Sequence, residues 1–124
     1  MAVKILFDME RFAWGRKESL SMNNFVVRNV HIEPGKRLPF LHNPDRETVF
    51  VLLNGEGFIY LSRDTYKEGT SYGIKEGVVY KPVQNQIMYA KKDQVFSLIT
   101  KQGSKKGAHF LVIHDKEGME DIVI

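Results

Sequence analysis

The sequence has no cysteine, which excludes disulfides, thiolate metal ligands and a cysteine nucleophile. Long apolar runs are missing as well. No stretch approaches the roughly 18 apolar residues of a membrane-crossing helix. The opening segment, MAVKILFDMERF, holds too short an apolar run for a secretion signal. A cytoplasmic protein with no membrane partner is the expectation. Charge of one sign is scarce too: 18 Lys and Arg stand against 15 Asp and Glu, a formal net charge of +3. The basic residues are dispersed, with Lys101, Lys105 and Lys106 as the one local group. They do not interleave with aromatics as an RNA-binding surface requires, so nucleic acid is not an expected partner. No G-x-S-x-G elbow, phosphate loop or dinucleotide fingerprint is present.

What is there suits one globular domain. A chain of 124 residues with 43% hydrophobic residues can bury a core without staples. Short runs rich in β-branched and aromatic residues recur at the spacing of an all-β sandwich or barrel. They are Val3–Phe7, Phe25–Ile32, Thr48–Leu53, Phe58–Leu61, Tyr72–Ile74, Val78–Lys81, Asn85–Ala90, Val95–Thr100 and Ala108–His114, with a possible last strand over Met119–Ile124. Phe12 and Trp14, two apart, suit one strand face or a cover over the end of a core. Glu18–Asn24 is polar and reads as a turn or loop. Pro39 and Pro44 keep residues 38–46 irregular. The Asn54-Gly55-Glu56-Gly57 stretch is a hairpin signal, since glycine takes positive φ without strain.

The stretch Gly35 to Gly57 resembles the first motif of the cupin superfamily. That motif has a glycine, two histidines one residue apart, a glutamate and a closing glycine. Counted back from Gly55, the first histidine falls on His42, the second on Pro44 and the glutamate on Thr48. A second cupin motif resembles Gly77–Tyr89, with Gln86 near the position of its histidine. The resemblance implies an all-β double-stranded β-helix, a jelly-roll barrel. Residues 25–100 would form the barrel, 1–24 an N-terminal arm, and 101–124 a last strand and tail. It also implies a homodimer built by packing or exchange of N-terminal strands. Because two motif ligands are replaced, no metal or other cofactor is expected.

Without a metal, the interior of such a barrel is an apolar pocket with a few polar groups, the usual form of a small-molecule site. The candidate ligand-binding residues are His42, His31, Asn29, Tyr60, Gln86, Tyr89 and Thr48. Alternation turns Thr48, Phe50 and Leu52 inward, and places His31 and Asn29 on one face with Phe25 and Val27. His109 and His114, five apart, face opposite sides. Plainer roles stand beside these: a surface histidine at 42, a core histidine at 31, core tyrosines, and a turn glutamine at 86. The expected function is small-molecule binding. The alternatives are a cupin-type enzyme, such as an isomerase, epimerase or atypical metal-dependent dioxygenase, and a small structural or nucleic-acid-associated barrel. Acid–base chemistry would fall to His42 with His31 or Tyr60.

Overall fold

The computed structural model describes residues 8–115; the runs expected at Val3–Phe7 and Met119–Ile124 lie outside them. Nine strands follow one another: β1 (Asp8–Phe12), β2 (Gly15–Ser21), β3 (Phe25–Ile32), β4 (Thr48–Gly55), β5 (Phe58–Thr65), β6 (Gly77–Tyr80), β7 (Ile87–Ala90), β8 (Gln94–Ile99) and β9 (Ala108–Asp115). The one helical element described is a single 3-10 turn, Ile74–Glu76. It takes the place of the strand expected at Tyr72–Ile74.

The strands form two sheets. Six lie in the order β1-β2-β3-β9-β4-β7 and three in the order β6-β5-β8, and the strand pairings among the described residues are all antiparallel. Among the described residues neither sheet returns to its first strand, so they do not form the closed barrel expected from the resemblance. The chain is all-β in two open sheets, arranged like a double-stranded β-helix. The seams show why closure fails. Pro39 and Pro44 lack the N–H that a continuous ladder needs. The segment beside β8 therefore makes only two isolated bridges, Arg37 to Ile99 and Leu41 to Phe96. Pro82 and left-handed Asn85 (φ 67°) separate β6 from β7.

The polar run Glu18–Asn24, expected as a loop, is mostly strand. Gly15 to Ser21 pairs residue by residue with Ile32 to Val26. Gly15 lets the chain leaving the β1–β2 turn come close to the backbone of β3. It sits at φ 150°, and a Cβ there would run into the His31 carbonyl oxygen. Gly55 (φ 85°) does the same between β4 and β5, where a side chain would meet the Gly107 carbonyl.

The core lies between the sheets. Val30, Phe50, Leu52, Phe110 and Val112 of the larger sheet meet Ile59, Phe96 and Leu98 of the smaller one. Phe50 and Phe96 touch edge to face across the gap, with centroids 4.9 Å apart. This layer has the alternation expected of strands covered on one face. A second cluster, Phe40, Tyr60 and Val95, lies on the other face of the smaller sheet, with Tyr66 and Tyr72 packed on it.

Candidate functional site

Between the sheets the structure leaves a cavity of about 210 Å³. It is walled by Phe12, Trp14, Leu41, Phe96, Leu98 and Val112, and Lys17 and Arg28 are the charged residues described in its lining. The first hairpin closes one side. Phe12 ends β1 and Trp14 sits in the turn, and the two rings stack nearly parallel, with centroids 4.7 Å apart. Lys17 sits 5.3 Å over the Phe12 ring and pairs with Glu10 at 3.8 Å.

None of the seven residues singled out from the sequence lines this cavity, and the structure distributes them over several places. Thr48 is on the inner face of the larger sheet, fully buried, with its hydroxyl unpartnered. His31 and Asn29 come together on the outer face of that sheet, beside His109. The two imidazoles stack at 4.0 Å and His109 Nε2–H donates to Asn29 Oδ1 at 3.0 Å. Burial first, then the neighbouring His109 and Arg16, lowers the pKa of His31, and burial does the same to His109. His31 also borders two shallow clefts of about 400 and 200 Å³. Tyr89 is on the outer face of the larger sheet and 55% exposed. Gln86 is a turn residue whose Oε1 accepts from the Val83 N–H at 3.0 Å. Tyr60 is buried in the second cluster, and burial there, then Glu76, raises its pKa.

His42 is only 3% exposed, not a free residue at a mouth. Its Nδ1–H donates to Asp93 Oδ1 at 2.6 Å, and its ring stacks on Tyr66 at 4.2 Å. Asp93 is held in the left-handed region (φ 63°), with its N–H on the Asn43 carbonyl and its own carbonyl on the Tyr66 N–H. His42 Nε2 is buried without a partner. Arg46 pairs with Asp115 at 3.3 Å, and Arg37 lies over the Phe40 ring.

The motif residues do not fit a metal. His42 is committed to Asp93, Thr48 replaces the carboxylate, and Gln86 is committed to its turn. Among the described residues, no group of three or more His, Cys, Asp or Glu could hold a metal ion. Nor does any described helix have the length and apolarity to cross a membrane.

Sequence reasoning passed over His114. It is 4% exposed on the inner face of β9, its Nδ1–H donates to the Asp115 carbonyl at 2.7 Å, and Nε2 is unpartnered. Burial, then the Arg28 and Lys17 cations, lowers its pKa against the opposing pull of Asp115. Strand alternation already turned His114 away from His109, and that was the available signal.

No protein-family model and no curated protein sequence matches the chain. Solved structures do resemble it in shape. The polyketide cyclase RemF from Streptomyces resistomycificus is 13% identical, with a TM-score of 0.69 over 100% of this chain and 87% of that one. A variant of Bacillus subtilis oxalate decarboxylase is 10% identical, with a TM-score of 0.73 over 94% of this chain and 30% of that one. A Klebsiella pneumoniae protein with a double-stranded β-helix domain is 18% identical, with a TM-score of 0.64 over 84% and 80%. The chain spans less than a third of the oxalate decarboxylases it matches. At these identities the likeness is one of fold: the chain resembles the double-stranded β-helix proteins of the cupin type.

Proposed function

We propose that this chain binds a small molecule in the cavity between its two sheets, recognising it through side chains and not through a metal held by the motif residues. The observation that carries this reading is the apolar and aromatic lining of that space. Polar groups are few, as in sites for small organic ligands. The size limits the ligand. A cavity of about 150 Å³ holds a benzene ring, so about 210 Å³ accepts one ring with a small substituent. Trp14 is the single tryptophan of the chain and lines the cavity, so its emission is a built-in reporter. One-ring aromatic compounds are expected to change Trp14 emission saturably. Val112→Phe, which fills the space, should weaken them by roughly tenfold or more while the circular dichroism spectrum is kept. Saturation unchanged by Val112→Phe would place the ligand elsewhere.

A second reading, an acid–base enzyme, is favoured by one observation. Asp93 fixes the His42 ring and leaves Nε2 unpartnered, the orientation expected of a general base. Its burial behind Tyr66 is the reason it stands second.

A further inference from the structure

Strand register gathers hydrogen-bond donors into one row on the outer face of the larger sheet. Arg11 of β1 lies opposite Arg16 of β2, Arg16 opposite His31 of β3, and His31 opposite His109 of β9. Strands are about 4.8 Å apart, so Arg11 and His31 are only about 10 Å apart at the backbone. These three line one cleft of about 400 Å³, with Phe12, Ile32 and Glu33 beside them. Like charges directly opposite in a sheet repel and cost stability, and Arg11 against Arg16 is such a pair. The pair has few acceptors. Among the described residues Arg11 and Glu33 enter no ion pair. Glu18 accepts from Arg16 Nε at 3.4 Å and leaves both Nη groups free of it. His109 donates to Asn29 and stacks on His31, which fixes the His31 ring at the cleft wall.

We propose that Arg11, Arg16 and His31 form a second binding site, for the phosphoryl group of a small phosphorylated ligand. It stands independently of the inter-sheet cavity. The donor set selects the chemistry. Two guanidinium groups offer paired N–H donors matched to an oxyanion. Burial, then His109 and Arg16, lowers the His31 pKa, so the ring is neutral at neutral pH and adds one N–H. A phosphoryl group brings three acceptor oxygens and close to two negative charges. It relieves the repulsion between the arginines, whereas a carboxylate brings one charge and occupies one fork. The rest of the cleft, with Phe12 and Ile32 in its wall, has room for the remainder of a small ester.

Glycerol 3-phosphate, inorganic phosphate and acetate are titrated into the whole chain at about pH 7.5 and constant ionic strength, with the imidazole resonances as reporters. The ester should shift His31 saturably, and His109 through the stack, while buried His42 and His114 stay unmoved. Acetate should bind at least about tenfold more weakly, for want of the second charge. Arg11→Gln and Arg16→Gln should each weaken the ester about tenfold. Lys92→Gln, the same loss of charge at an exposed turn, should leave it unchanged. Without ligand, Arg11→Gln should melt no lower than the parent, because the like pair is relieved; if Arg16→Gln fails to fold, Arg11→Gln decides. An unmoved His31, equal affinity for acetate, or an equal loss from Lys92→Gln overturns the site. Binding of inorganic phosphate without the ester overturns the phosphorylated ligand in favour of the free ion. Displacement of the ester by a single-stranded oligonucleotide of higher affinity overturns it in favour of nucleic acid. Each of these leaves the cavity reading to Trp14 emission.

Discussion

On the outer face of the six-stranded sheet, His31 and His109 stack on each other and His109 donates to Asn29, half-buried beside Arg16 and Glu18. On the inner face, His114 is buried among Val26, Val112 and Phe110, with one nitrogen on a backbone carbonyl and the other on nothing. All three histidines have lowered pKa values. The outer pair borders open clefts that water and solutes reach. The inner imidazole is closed to both. A histidine thus becomes a site candidate less by its titration than by which face of a strand carries it.

The largest expected effect tests whether the two faces differ in weight at all. Phe110 and Leu111 are neighbours on β9, one fully buried between the sheets and the other half-buried on the outer face. Phe110→Ala is expected to cost about 3–5 kcal/mol, through lost transfer energy and the cavity left behind. Leu111→Ala should cost about 1 kcal/mol, since its surroundings can relax or rehydrate. Urea denaturation of the two variants gives both numbers, and equal losses would mean that the outer face is as covered as the inner one.

The next effect is the response to acid. Each of the three folded-state values is lowered below the ordinary 6.5, so the unfolded chain takes up its protons first. Stability from these groups is therefore whole above about pH 6.5 and is lost as the pH falls from there through the lowered values. The melting temperature should drop between pH 7.5 and 5.5. His114→Gln, which cannot take up a proton, should flatten the drop more than His31→Gln, because the inner site excludes water and the outer one does not. A melting temperature that rises on acidification, or a larger flattening from His31→Gln, would reverse the comparison.

Strand periodicity carried most of the larger sheet. Phe25–Ile32 and Thr48–Leu53 alternate clearly, and Thr48, Phe50 and Leu52 face inward as expected. β2 was not legible because GRKESLS is polar along both faces; its ladder to β3, not its composition, makes it a strand. Closure was not legible either. Each strand has the local pattern of a barrel strand, and only the two bridges at residues 37–41 and the gap between β6 and β7 leave the sheets open. The site suffered from counting along a motif. Spacing led to His42 and Gln86, yet Asp93 claims the first from 51 positions away, and the second serves its own turn. His114 lay outside both motifs and was visible only by alternation.

Gln86 offers the smallest and sharpest check on that lesson. Its carboxamide oxygen accepts from the Val83 N–H in the exposed turn before β7, a local bond that water can replace. Gln86→Ala should therefore cost about 0.5 kcal/mol, within the range of ordinary surface changes. If the ligand occupies the inter-sheet cavity, the same variant should leave the Trp14 emission response to one-ring aromatic compounds unchanged, because Gln86 lies outside the cavity lining. A loss of affinity with little loss of stability would instead return the site to the position that the second motif assigns to its histidine. Ligand recognition would then belong to the β6–β7 turn and not to the cavity between the sheets.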